Sequence, residues 1–387
     1  MLPAFPRLAA AAATTLAAFV IGGSARAADG CTYIELAELP VKYAGPALVP
    51  TIAGSVNGKP ARMLMDTGSY TSALSRGLAE TLGLKLHPTV SWVSGVGGET
   101  RLYEARIDDM EVWPTRSGST IMRVIGEPGS LPWFDAIVGA PFLMQADLEV
   151  YLAERTIKFF RPRNCKDSFL TYWTGVPVSV IPYAWRYGQG ENPQFTVEIN
   201  GQQFDAIIDT GAEVSSISLA AARRAGWRAD APDVKRMPDM AGVGEARAAH
   251  WSGRFEKIVI GKELITDVRL GVVDTETRHG ADVYLGRDFL RAHRVLFASS
   301  QKKLYISYLG GEPFGSHGAG IEPWLQREAN EGNPDAEYKL YRAYRTGTLV
   351  AKDPGQAAHW LALAASHGHV RAGQIIAQRR TPAAGGE

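Results

Sequence analysis

The chain has 387 residues, enough for two or three domains with substantial cores. Its 41 basic and 40 acidic side chains nearly cancel, which removes the electrostatic footprint of a nucleic-acid binder or of a protein held on an anionic membrane. Aromatic and apolar content is that of an ordinary soluble globular protein.

The first predicted element is a leader. Arg7 precedes a small apolar run from Leu8 to Gly22, and Ser24-Ala25-Arg26-Ala27 supplies an Ala-x-Ala site. That layout predicts a secretory signal peptide over residues 1–27, cleaved after Ala27. The run is too short to span a bilayer comfortably, and no other segment is apolar enough for stable membrane insertion. Export to a bacterial periplasm or the extracellular space is therefore expected, and there the two cysteines, Cys31 and Cys165, read as one disulfide. Such a bridge would tie together the ends of the unit between them. Two cysteines so far apart offer no zinc or redox motif.

Residues 31–163 and 193–309 then read as two copies of one plan. Each opens on alternating residues that end at Asn-Gly, Asn57-Gly58 in one copy and Asn200-Gly201 in the other. Asn-Gly is a strong hairpin turn because both central positions favour positive φ. The returning strands, Met63-Leu64-Met65 and Ala206-Ile207-Ile208, run into Asp66-Thr67-Gly68-Ser69 and Asp209-Thr210-Gly211-Ala212. A short helix is predicted after each, Ser75 to Leu82 and Ser218 to Ala225, closed by Gly83 and Gly226 at positions that suit a helix C′ glycine. Next come glycine-rich segments, Gly95-Val96-Gly97-Gly98 and Gly242-Val243-Gly244, which lack the context of a phosphate loop and read as mobile hairpin tips. Roughly 70 to 80 residues after each Asp comes a pair of apolar residues and a glycine, Ile137-Val138-Gly139 and Tyr284-Leu285-Gly286. Each copy closes in a strand pair, near Ile157-Lys158-Phe159 and Leu304-Tyr305-Ile306. A lone Asp-Thr-Gly is ordinarily a turn; two with matched flanks imply two carboxylates in matching settings.

Residues 164–192, rich in Trp, Tyr, Pro and Gly, form an inter-lobe connection, and 310–322 read as a flexible glycine-rich linker. Residues 323–380 are helical and repetitive. Trp324-Leu325, Ala329, Gly332 and Ala336 recur about 36 residues on as Trp360-Leu361, Ala365, Gly368 and Ala372, a period typical of paired-helix solenoid units. Through Ala336, Leu340, Tyr344, Gly347, Asp353, Ala357, Trp360, Ala364-Ala365, Gly368 and Ala372 this segment resembles a Sel1-like repeat. The same small-residue spacing would also suit one amphipathic hairpin packed on the lobes.

Two carboxylates brought close together cannot both ionise easily and share a proton over a wide pH range. The ionised member can take a proton from a water held between them while the protonated member polarises a carbonyl oxygen. No nucleophilic Ser or Cys, cofactor or metal is needed, and the histidines show no zinc-protease spacing.

From about residue 45 to residue 309 the chain resembles the aspartic peptidases, specifically the retropepsin-like branch. The resemblance implies a mainly β fold, with duplicated acid-protease-type β-barrel lobes and here a C-terminal α-helical appendix. Asp66 and Asp209 match the family's catalytic pair. Thr67 and Thr210 match the threonines that cross-brace the two loops, and Gly68 and Gly211 allow close backbone approach. Ser69 resembles the pepsin pattern and Ala212 the retroviral one. Leu285-Gly286-Arg287-Asp288 matches the family segment that packs behind the catalytic loop, whereas the first copy departs from it at Val138-Gly139-Ala140-Pro141. The glycine-rich tips match the flaps that close over an extended peptide or protein substrate bound as an added strand. Both lobes lie in one polypeptide, which implies an active monomer. The expectation is an exported aspartic endopeptidase. The competing one is a catalytically silent peptide-binding protein of the same fold, a scaffold whose Sel1-like tail recruits a protein partner.

Overall fold

The computed structural model describes residues 25–26, 30–96, 98–113, 115–126, 133–185, 192–240, 242, 247–275, 280–314 and 320–380. The predicted leader lies outside these residues, apart from a short strand at Ala25–Arg26, as do Gly97, Val243 and Gly244 of the predicted hairpin tips. Among the described residues the architecture is mainly β: three sheets, followed by four helices over residues 323–380.

Each copy builds its own sheet by the same local rules. In the first, strands Val49–Val56 and Lys59–Asp66 form a hairpin whose turn residues Asn57 and Gly58 have φ of 49° and 69°. In the second, Pro193–Ile199 and Gln202–Ile208 are joined by Asn200 and Gly201 at 50° and 81°. Both turns therefore take the doubly positive conformation that Asn-Gly favours. The Asn side chain fastens each turn to the neighbouring hairpin, Asn57 Oδ1 accepting from Asp108 N at 2.7 Å and Asn200 Oδ1 from Lys257 N at 3.1 Å.

The short helices Arg76–Thr81 and Leu219–Arg224 begin at capping serines, Ser75 accepting from Leu78 N and Ser218 from Ala221 N. Gly83 and Gly226 follow their ends at positive φ, as the helix C′ position requires. The later apolar-glycine signals become strands Ala136–Gly139 and Val283–Leu285, each lying parallel to the strand that carries the copy's aspartate.

The third sheet joins the two halves. Its order is Ala25–Arg26, Thr32–Pro40, Thr156–Arg163, Asp147–Tyr151, His293–Ala298, Lys303–Tyr308, Ser179–Pro182. The closing hairpin of each half sits at its centre, Asp147–Tyr151 pairing antiparallel with His293–Ala298 through Val150 and Val295. An approximate twofold therefore runs between those two strands. Beside this sheet Cys31 and Cys165 are bonded to each other and buried against Tyr33, Phe160 and Leu170.

The tail folds as helices Pro323–Asn330, Pro334–Thr346, Pro354–Ser366 and Val370–Arg380. Leu325 and its counterpart Leu361 are buried, as are Ala336 and Ala372, and Gly332 and Gly368 both take positive φ. Of the stretch expected to be a flexible linker, Phe314 is buried and stacks on Phe289, so the described part is fixed to the second lobe. The largest cluster of buried side chains among the described residues runs through both lobes and the tail, with two smaller clusters beside it. Among the described residues no helix is long and apolar enough to cross a membrane.

Candidate active site

Each Asp-Thr-Gly lies where its strand ends beside the parallel strand, with Gly139 level with Asp66 and Asp209 N donating to Leu285 O at 2.8 Å. The backbone folds tightly around each carboxylate. Asp66 Oδ1 accepts from Gly68 N at 3.0 Å and Ser69 N at 2.9 Å; Asp209 Oδ1 accepts from Gly211 N at 2.8 Å and Ala212 N at 3.1 Å.

The loops are locked to each other. Thr67 N donates to Thr210 Oγ1 at 3.0 Å and Thr210 N to Thr67 Oγ1 at 3.1 Å. The Thr67 hydroxyl donates onward to Ile208 O at 2.6 Å, and the Thr210 hydroxyl to Met65 O. Both threonines are 1% exposed. Because each hydroxyl accepts from the partner loop's amide and donates into the partner's strand, neither loop can shift without disturbing the other.

The glycines set the spacing. A Cβ at Gly68 would lie 2.3 Å from Asp209 Cγ, and one at Gly211 would lie 2.8 Å from Asp66 Cγ. Each carboxylate thus rests against the other loop's glycine, which brings Asp66 and Asp209 together across the pseudo-twofold. Any side chain at either glycine would push the pair apart.

Burial, then the charge of Asp209 and a hydrogen bond to it, holds the Asp66 carboxyl well above the usual carboxylate range, against the pull of the Gly68 and Ser69 amides. Burial also raises Asp209, opposed by the Gly211 and Ala212 amides, by Asp66 and by the Arg287 charge. The pair therefore keeps one shared proton to higher pH than isolated carboxyls would. A buried cation, Arg287, stands behind the Asp209 loop and favours negative charge on that side of the pair.

Supporting contacts behind the loops come from different places. Arg287, fully buried, donates from Nη1 to Gly211 O at 2.7 Å and Thr210 O at 3.3 Å. Burial and then the neighbouring Arg291 push its pKa down to about 10, which leaves it charged at neutral pH. Asp288 accepts from the Ser215 amide and from its hydroxyl at 2.6 Å, and Ser215 Oγ accepts from Gly286 N at 2.9 Å. The first copy has neither side chain, reading Ala140-Pro141 instead. There Ser72 Oγ accepts from Gly139 N at 3.0 Å, and Asn192 donates from Nδ2 to Thr67 O at 3.0 Å and Gly68 O at 2.6 Å.

Asn192 thus supplies the pair of hydrogen bonds that Arg287 supplies in the other copy. Sequence reading missed it, because it lies in the connection and belongs to no motif; the only signal was the missing arginine. Close approach is preserved in both copies. Ala140 N donates to Ser69 O at 2.8 Å and Arg287 N to Ala212 O at 3.0 Å, the same contact twice.

Of the predicted tips, Gly95 and Gly98 face each other across the hairpin of His87–Gly95 and Gly98–Ile107, with Val96 in its turn. Gly242 follows strand Lys235–Met240, which pairs with Ala248–Ile260. Both sites are thus on hairpins that follow the capped helices.

Residues 52–142 match the protein-family model described as "Aspartyl protease", and residues 195–292 match the one described as "gag-polyprotein putative aspartyl protease". The two matches fall one on each copy, and together they support an aspartic peptidase. No curated protein matches the chain. Among solved structures it is similar to an aspartic proteinase from Irpex lacteus, at 12% identity and a TM-score of 0.42, over 73% of this chain and 98% of that one.

Proposed function

We propose that this chain is an exported aspartic endopeptidase, active as a monomer, that hydrolyses extended peptides with water activated between Asp66 and Asp209. The observation that carries the proposal is the reciprocal Thr67–Thr210 lock, which places two carboxylates in contact with each other's loops. A structural turn has no need of such symmetry.

In the proposed cycle Asp209, steadied by the nearby Arg287 charge, is the ionised member and removes a proton from the bound water. Asp66 carries the shared proton and donates it to the scissile carbonyl oxygen as the water oxygen bonds to carbon. The resulting diol collapses: the C–N bond breaks, the leaving nitrogen takes the proton held by Asp209, and Asp66 recovers its own. No covalent intermediate forms.

The acid-protease-type fold and the fusion of both lobes in one chain belong to the same reading, as does the Sel1-like assignment of the tail. Export rests on the leader pattern and suits the Cys31–Cys165 bridge. The alternative of a silent scaffold had the Ala140-Pro141 departure in its favour. Asn192 holds the Asp66 loop where an arginine would otherwise stand, so that departure no longer argues for silence.

The test is cleavage of a mixed peptide library by the mature protein from pH 3 to pH 8. Internal cuts with a bell-shaped pH dependence are expected, the acid limb marking protonation of the base and the alkaline limb loss of the shared proton. A folded protein that cuts nothing in this range would overturn the proposal.

A further inference from the structure

We propose that the C-terminal helices brace the second catalytic loop, with Asn333, Asp335 and Lys339 as positioning residues for Asp209. The inference rests on the peptidase reading and assigns the tail to the catalytic unit.

Two routes run from the tail to Asp209. The first passes through residues 43–48. Asn333 Nδ2 donates to Tyr43 O at 3.0 Å, and Gly45 N donates to Asp335 Oδ2 at 2.8 Å. Two residues on, Ala47 O accepts from Arg287 Nη2 at 2.7 Å. The same guanidinium holds Thr210 O and Gly211 O. A short turn therefore links the start of helix Pro334–Thr346 to the cation behind the Asp209 loop.

That turn needs holding. Gly45 has φ of 74°, and Leu48, fully buried, has φ of 48°, a region L side chains rarely adopt. Such conformations persist only where the surroundings over-determine them. Here the turn is closed by Leu48 N donating to Gly45 O at 2.8 Å, and the tail pins it from outside.

The second route is direct. Lys339 Nζ lies 2.6 Å from Glu213 Oε1, and Glu213 follows Ala212, whose amide donates to Asp209 Oδ1. Besides the Gly211 and Ala212 amides, the titratable groups that act on Asp209 include Asp66, Arg287 and Tyr284, with Glu213, Arg291 and Tyr43 one step behind through Arg287. Lys339 offsets the Glu213 charge in that set.

Both routes start from a well-anchored body. The Trp324 ring lies 3.6 Å from the Arg291 guanidinium and 5.7 Å from the Tyr43 ring. Arg155 pairs with Glu328 at 3.2 Å and also with Glu331. Leu325, Ala336, Leu340 and Tyr341 belong to the same buried cluster as the lobes.

The test compares full-length Asn333→Ala/Asp335→Ala and Lys339→Ala with the parent on one short peptide substrate, alongside thermal unfolding. A role of the tail in docking protein substrates would leave cleavage of a short peptide unchanged. The brace predicts a kcat loss of about 10-fold for the double variant and about 2- to 3-fold for Lys339→Ala, with KM little changed. In both, the acid limb should move to higher pH: in the double variant because Arg287 is held less closely behind Asp209, and in Lys339→Ala because Glu213 is left unpaired. Asp335→Asn keeps the acceptor for Gly45 N and should restore most of kcat, as Lys339→Arg should.

Unchanged kcat and acid limb in folded variants, with only a lower unfolding temperature, would overturn the brace and leave the tail as a stabilising element. Lys339→Ala removes a half-exposed pair, so it decides the matter should the double variant fail to fold. An inactive parent protein would overturn the peptidase reading and the brace with it, which separates that failure from failure of the brace alone.

Discussion

Behind the Asp209 loop stands Arg287, a buried cation from the loop's own lobe; behind the Asp66 loop stands Asn192, a neutral amide from the connection between lobes. Both donate to the same two carbonyls of their loop. Their backbones are near copies, with the same amide bonds to the carboxylate and the same glycine contact. A duplicated fold can therefore keep its backbone symmetric and place its asymmetry in the supporting side chains. In the proposed mechanism the carboxyl pair is itself asymmetric, with one proton on two groups, and a cation behind one loop only favours charge on that side.

Replacing the two supports should expose the difference. Arg287→Met leaves the carbonyls of Ala47, Thr210 and Gly211 without their donor, and should cost about 3 to 9 kcal/mol in urea unfolding, at about 1 to 3 per orphaned group. Active protein that remains should show its acid limb at higher pH.

The lobes also differ in covalent restraint, since the disulfide closes a loop over the first only, across a separation of 134 residues. Cys31→Ser/Cys165→Ser should cost about 2 to 5 kcal/mol. Hydrogen exchange should rise first in residues 32–40 and 156–163, the two strands beside the bridge. Uniform loss of protection across both lobes would contradict that localisation.

Asn192→Ala orphans only the carbonyls of Thr67 and Gly68, and should cost about 2 to 6 kcal/mol at the same rate per group. As a positioning change it should lower kcat by about 10-fold with KM nearly constant. Because no charge is removed, the acid limb should stay in place. A limb that moves as far as it does for Arg287→Met would end the distinction between the two supports.

The smallest expected effect is on stability against pH. The Asp66 carboxyl is raised in the native state, so the native protein binds more protons than the unfolded chain between the ordinary carboxyl value and the raised one. Stability from this group is full at low pH and falls as pH rises through that window. Asp66→Asn stays neutral throughout. It should match the parent in acid and unfold at a higher temperature above about pH 5, where an equal or lower temperature would contradict the shift.

Much of this was legible in the residues because it is local. Asn-Gly dictates its turn, serine caps and C′ glycines bound the short helices, and Asp-Thr-Gly after an apolar strand marks each carboxylate. What was not legible acts through space. Asn192 lies 124 residues from the carbonyl it holds most closely, and no pattern along the chain joins them. The turn of residues 43–48 looks unremarkable in sequence, and its role appears only once Arg287 and Asp335 approach it from opposite sides. Glycines at 310–311 suggested a free tether, yet at the end of the described stretch one aromatic, Phe314, is buried against Phe289.

Whether Asp66 and Asp209 act as one unit is read from a mutant cycle on cleavage rate. Asp66→Asn, Asp209→Asn and the double variant should all fall by about 10²-fold or more to a common floor, because groups that work as a unit lose their joint effect at the first removal. Losses that multiply in the double variant, or substantial activity in either single one, would contradict it.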